Sequence, residues 1–203
     1  MAIIHLLDDD IAVTQACAFL LESLGYEVSC WEQGEKFLAE ANLHQVGVLL
    51  LDMRMPVMDG RAVHEAMRQR ESTLAVVFLT GHGDVPMAVE QMKRGAVDFL
   101  QKPVSAEPLQ SALERALRVS AAAFSRHEIV ACYQQLTPKE RELANLVATG
   151  LMNREIADIA HVAVRTVEVH RAKVMEKMAA GSLAELVTQL NSITDAENST
   201  AEH

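Results

Sequence analysis

Five short apolar runs divide the first 104 residues: IIHLL (3–7), EVSCW (27–31), VGVLLLD (46–52), AVVFLT (75–80) and DFLQ (98–101). Amphipathic stretches at 11–24, 34–42, 61–70 and 85–94 separate them, and Gly25 and Gly95 stand where two of these helices should stop. Five strand–helix units in succession predict a doubly wound α/β fold, (βα)5, with one parallel sheet and helices on both faces. In such a sheet, functional groups collect at the carboxyl ends of the strands, near the point where the strand order reverses.

The residues at those strand ends are unusual. The run at 46–51 reads as a strand buried on both faces, yet it delivers Asp52 to the solvent edge just before the loop of Met55-Pro56 and Asp59-Gly60. Asp8, Asp9 and Asp10 follow the first strand, Thr80 ends the fourth, and Lys102-Pro103 follows the fifth. Each has a plain structural explanation: an anion at a helix start, a strand-ending hydroxyl, a turn. Together they face one crevice. Asp8, Asp9 and Asp52 would repel one another unless a cation sat among them, and hard oxygens with room for water suit Mg²⁺. A hydroxyl and an ammonium beside that cluster suit a dianionic phosphoryl group.

A long helix starts after Ser105, with an apolar stripe at Leu109, Leu113, Ala116 and Leu117, and runs to about Tyr133. Its second half reads as a helical linker over 121–134. Residues 137–193 are helix after helix. Thr137, Pro138 and Glu140 supply an N-cap, a first-turn proline and a capping box; Gly150 stops that helix; Ser182 and Glu185 repeat the capping logic. Short helices around a tight turn suggest an all-α four-helix unit containing a helix-turn-helix. Ile156, Ile159, Val167, Val174 and Met178 read as its core. Arg165, Glu168, Val169 and Ala172 fall on one face of the helix near 164–178, flanked by Arg171 and Lys173, with Thr166 and His170 placed to meet a DNA backbone. Such a helix enters the major groove: arginine can read guanine, glutamate can accept from cytosine, and apolar groups can touch a thymine methyl.

Charge separates the two halves. The chain carries a net −10, and residues 1–120 hold 10 Lys/Arg against 17 Asp/Glu. Residues 161–178 hold four basic and two acidic residues, including Arg165, Arg171, Lys173 and Lys177 as a local basic stripe. Cys17, Cys30 and Cys132 share no metal-ligand spacing, which fits mostly buried, reduced thiols of a cytoplasmic protein. No apolar run is long enough to span a membrane, and the N-terminus lacks the basic region of a signal peptide. The acidic end, 196–203, reads as a disordered tail.

The segments LLDDD, LLLDMRMPVMDG, FLTGHGD and VDFLQKP resemble the receiver domain of bacterial response regulators over residues 1–120, and GHGDVPMA is similar to the FixJ type. LTPKERELANLVATGLMNREIADIAHVAVRTVEVHRAKVMEKM resembles the LuxR/NarL-type helix-turn-helix over about 135–195. The resemblance implies a transcriptional response regulator, within the branch concerned with tetrathionate respiration, activating respiratory genes. By it, Asp52 takes a phosphoryl group from a sensor histidine kinase. Asp8, Asp9, Asp52 and the Arg54 backbone carbonyl hold Mg²⁺. Thr80 and Lys102 receive the phosphoryl oxygens, Phe99 is the switch aromatic, and Lys102-Pro103 is a cis bond. The partners it implies are double-stranded DNA, RNA polymerase and, on phosphorylation, a second copy of the chain, with no membrane. His82 is assigned no role. Many relatives carry lysine where this chain has Glu168, so their base preference does not transfer. Two other classes compete. An Asp-nucleophile hydrolase would need an acidic residue two positions after Asp52, where Arg54 stands. A phosphorylation-independent binding module would not need Asp9, Asp52, Thr80 and Lys102 together.

Overall fold

The computed structural model describes residues 2–81 and 85–200. His82, Gly83 and Asp84 lie outside the described residues, as do residues 201–203. The chain divides into two compact units, one ending at Phe124 and one beginning at Ser125.

In the first unit the elements alternate as the sequence pattern requires: β1 (Ile3–Leu7), α1 (Ile11–Ser23), β2 (Glu27–Trp31), α2 (Gly34–Glu40), β3 (Gly47–Asp52), α3 (Gly60–Gln69), β4 (Ala75–Thr80), α4 (Val85–Lys93) and β5 (Asp98–Gln101), followed by the start of α5 (Ala106–Gln134). The strands form one parallel sheet in the order β2-β1-β3-β4-β5. The order reverses between β1 and β3, so the crevice forms where Asp8 and Asp52 leave the sheet.

Strand alternation sends side chains to two separate cores. Leu7, Leu49, Leu51, Val76 and Phe78 pack with α2 and α3 residues Phe37, Val63 and Met67. Ile4, Leu6, Val48, Leu50, Val77 and Leu79 pack with α1 and α5 residues Cys17, Leu21, Leu109, Leu113 and Ala116. β3 and β4, central in the sheet, are buried along their whole length. Two polar groups are built into this interior. The Ser120 hydroxyl accepts from the Gly47 N–H at 2.9 Å and donates to the Thr73 carbonyl at 2.7 Å, pinning α5 across the start of β3. The Trp31 indole N–H donates to His5 Nδ1 at 3.1 Å, so the proton of the neutral His5 ring sits on Nε2.

The second unit comprises the second half of α5 with α6 (Pro138–Ala148), α7 (Asn153–Ala160), α8 (Val164–Lys177) and α9 (Leu183–Thr200). Leu143, Ala144, Val147, Ile156, Val167, Val174, Met178, Leu186 and Leu190 form its core. The stretch read as a linker does more than connect: Ile129, Val130, Cys132 and Tyr133 recur at helical spacing and pack against that core. Thr137 and Glu140 make both bonds of the expected capping box, whereas Glu185 returns its carboxylate to the Gly181 N–H and receives Ser182 as its own cap.

Two expectations require correction. Ile159 is 53% exposed, not core: the inward arc of α7 is centred on Ile156 and Ala157, one turn short of it. Cys30 is exposed, because β2 is an edge strand that no further strand covers, while Cys17 is buried. Leu186, Leu190 and Ile193 anchor α9 in the core, and its backbone runs on to Thr200.

Candidate functional site

The three consecutive aspartates divide their labour. Asp10 is the N-cap of α1, its side chain accepting from Ala12 and Val13 N–H groups. Asp8, wholly buried, accepts the Asp10 N–H at 2.9 Å, and Asp9 is exposed. Helix capping therefore explains one of the three. The carboxylates of Asp8, Asp9 and Asp52 come within 4.8 Å of one another. Gly60, which the sequence marked only as loop, makes room for this arrangement: any Cβ there would collide with the Asp52 carbonyl oxygen and press on Phe78.

Lys102 enters this cluster from the loop after β5. Its Nζ donates to Asp8 Oδ2 at 2.5 Å and to Asp52 Oδ1 at 2.8 Å. The Lys102 N–H bonds the Thr80 carbonyl at 2.8 Å, and the Lys102–Pro103 bond is cis, as expected. Burial and the Asp8 charge push the Asp52 carboxyl up, and its bonds to Lys102 and the Arg54 backbone pull it partly back, leaving it raised. Burial would lower the Lys102 ammonium, but Asp52 and Asp8 outweigh it and hold it above its ordinary value. An ammonium shared by two buried carboxylates leaves a third carboxylate and their remaining lone pairs for a hard cation, so the donor set fits Mg²⁺.

 Thr80 is fully buried at the end of β4, and its hydroxyl donates to the Leu100 carbonyl at 3.3 Å. Phe99 is half-buried on β5, opposite Phe78 in register, and packs against the α2–α3 side core. The structure thus brings Asp8, Asp9, Asp52 and Lys102 into direct contact range, and sets Thr80 and Phe99 on the two neighbouring strands.

The residues expected to read DNA all lie on α8 in the second unit. Arg165, Glu168, Val169 and Lys173 are exposed, and Thr166, His170 and Arg171 are half-buried. Two bonds unseen in the sequence modify that reading. Arg165 Nη1 lies 3.0 Å from Glu168 Oε2, an exposed pair one turn apart. Arg171 Nη1 donates to Asn153 Oδ1 at 2.8 Å, tying α8 to the first residue of α7. Lys177 leaves the basic stripe altogether: its Nζ lies 2.7 Å from Glu140 Oε2, locking α8 to the start of α6. That ammonium, with the Thr137 N–H, lowers the Glu140 carboxyl to about 2.

A parallel sheet with a lysine-bridged carboxylate cluster at its switch point, followed by a unit with an exposed, partly basic helix, defines a receiver joined to a helix-turn-helix reader. Comparison with known proteins agrees. Residues 4–114 match the response regulator receiver domain, and residues 134–190 match the bacterial regulatory proteins of the luxR family. The chain is 75% identical, over 97% of its length and 96% of that protein's, to the tetrathionate response regulatory protein TtrR of Salmonella typhimurium strain LT2. It is 39% identical, over 91% of its length and 92% of that protein's, to the transcriptional regulatory protein FixJ of Bradyrhizobium diazoefficiens. Among solved structures, the response regulator StyR is similar with a TM-score of 0.69 at 36% identity, covering 94% of this chain and 98% of that one. The chain belongs to the two-component response regulators with a LuxR-type DNA-binding domain.

Proposed function

We propose that this response regulator is switched by phosphorylation of Asp52 and, in the phosphorylated form, activates transcription of genes for tetrathionate respiration. The observation that carries the switch is the placement of Lys102 between Asp8 and Asp52. The pathway rests on the 75% identity to TtrR.

In this reading, an Asp52 carboxylate oxygen attacks the phosphorus of a sensor kinase's phosphohistidine in line, and the P–N bond breaks as the O–P bond forms. A magnesium ion held by Asp8, Asp9, Asp52 and the Arg54 carbonyl supplies charge neutralisation for the phosphoryl oxygens when bound. Lys102 keeps its contact to the modified Asp52 and pairs with the new negative charge. Thr80 exchanges its bond to the Leu100 carbonyl for one to a phosphoryl oxygen, and Phe99, one strand over, follows that movement. The chain is a phosphoryl acceptor with at most slow self-dephosphorylation, not a turnover enzyme.

The domain reading is a receiver at 1–120, a helical connection at 121–134, a helix-turn-helix domain at 135–195 and a short tail. Phosphorylation favours a dimer through the face of α4, β5 and α5, and the DNA-bound dimer engages RNA polymerase in the cytoplasm. Genome-wide DNA occupancy of wild type and Asp52→Ala tests the proposal. It requires sites near respiratory genes that depend on Asp52; identical occupancy in both proteins contradicts it.

A further inference from the structure

The core-facing stripes of α3 and α4 each contain one polar residue. On α3 the buried positions are Gly60, Val63, His64 and Met67, the spacing of a stripe turned to the core, and His64 is 4% exposed. Among the described side chains of α4, Ala88 and Gln91 are buried, and Met87 and Met92 are half-buried. The two polar groups meet: His64 Nδ1 lies 2.8 Å from Gln91 Oε1. A carboxamide oxygen only accepts, so the imidazole donates. The His64 ring also lies edge-on to Phe78, with ring centroids 5.6 Å apart and planes at 75°. Phe78 is opposite Phe99 in register, and Thr80, two residues on, faces the same side of the sheet.

Packing alone does not call for this pair. Two apolar side chains would fill the stripes without the cost of desolvating an imidazole and an amide. What the bond adds is direction. Ala88 offers α4 a methyl group, and Met87 and Met92 offer flexible thioethers, contacts that survive a small slide of the helix. The hydrogen bond does not survive it, because it weakens steeply with angle and distance. Glu65 and Arg94 also meet between α3 and the end of α4, but at 3.7 Å and exposed to solvent, where screening leaves little. A cavity of about 190 Å³, lined by His64, Met67, Arg94 and Val97 among others, leaves the imidazole room to turn.

We propose that the His64–Gln91 bond is a latch that holds α4 against α3 in the unphosphorylated receiver and is released when Asp52 is phosphorylated. The inference rests on the phosphorylation-switch reading above and names a contact that opposes the switch. Movement of Thr80 and Phe99 toward a phosphoryl group disturbs the face they share with Phe78, and Phe78 carries the disturbance to the imidazole on α3. A bond made in only one of two arrangements biases the equilibrium between them by its own strength. The latch therefore keeps α4 in its resting position, and its loss raises the fraction of chains poised to accept a phosphoryl group.

The test uses the full chain with acetyl phosphate and Mg²⁺. Hydrogen exchange reads α4 directly, and intact mass reads the rate of phosphorylation. Three variants are compared with wild type. Gln91→Leu leaves His64 unpaired. The double variant His64→Leu with Gln91→Leu replaces both partners by apolar groups, which keeps the fold even where the single variant loses it. His64→Asn keeps an N–H donor at the place of Nδ1. In wild type, phosphorylation should raise exchange of the α4 amides about fivefold, the factor that one intramolecular hydrogen bond is worth. Without phosphodonor the two leucine variants should already exchange about that fast, and they should be phosphorylated about fivefold faster. His64→Asn should follow wild type in both. Unchanged α4 exchange in phosphorylated wild type overturns the proposal. A lower urea midpoint in the leucine variants, with resting exchange and phosphorylation rate unchanged, also overturns it, because the pair would then be a structural tie alone. If wild type takes up no phosphoryl group at Asp52, the switch reading itself fails, and the inference falls with it.

Discussion

Lys102 Nζ stands 2.8 Å from Asp52 Oδ1 while also holding Asp8, so one side chain bridges the two buried carboxylates of the crevice and offsets half of their charge. Lys102→Met should therefore leave like charges facing one another in a site that water enters poorly. Thermal unfolding of the receiver unit in metal-free buffer should show a loss of about 2 kcal/mol, scaled down from a fully buried pair because Lys102 is partly exposed. Adding Mg²⁺ should recover most of it. Equal stability of variant and wild type without metal would show that the pairing contributes nothing.

His5 gives the receiver unit an acid limit. Burial lowers its imidazole from 6.5 to about 4, and its Nδ1 is already an acceptor for Trp31. Between those values the unfolded chain binds more protons than the folded one, so stability is full above 6.5 and falls as pH drops toward 4. The slope is about 1.4 kcal/mol per pH unit, or about 3 kcal/mol in all. Urea midpoints measured across that range in wild type and His5→Gln check this; parallel curves would remove His5 as the cause.

Ser120→Ala removes a buried hydroxyl that serves Gly47 and Thr73 at once, and no water can readily replace it in the packed interior. The receiver unit should lose about 1–3 kcal/mol, read as a lower denaturation midpoint at unchanged slope. A shift under about 0.5 kcal/mol would mean that the two backbone groups find other partners.

The sheet and its crevice were legible because they rest on local signals. Strand period, glycine stops and the Asp at the end of a fully apolar run each act within a few residues, and Asp52 stands where that reading puts it. What was hidden depends on partners far apart in sequence. Glu140 and Lys177 pair across 37 positions, so Lys177 looked like a free DNA contact. Arg171 meets Asn153 across 18. Ile159 misled because three-residue spacing from Ile156 fits a helix stripe, yet the core lies on the Ile156–Ala157 side. Gly60 carried no motif of its own beyond a turn; only the packed backbone shows that Asp52 leaves no room for a side chain.

The pairing of Lys177 makes a prediction about DNA. Lys173 is exposed on α8, whereas Lys177 is held by Glu140. Lys173→Ala should flatten the salt dependence of operator binding by about one unit of slope, through one fewer released counterion. Lys177→Ala should leave that slope in place and lower the melting temperature of the second unit instead. The reverse pattern would return Lys177 to the DNA interface.

Intact-mass analysis of wild type and Asp52→Asn after treatment with a small phosphodonor and Mg²⁺ addresses the switch most directly. The account predicts one hydroxylamine-sensitive phosphoryl group on wild type and none on Asp52→Asn. Equal incorporation into both proteins, or none into wild type, would contradict it.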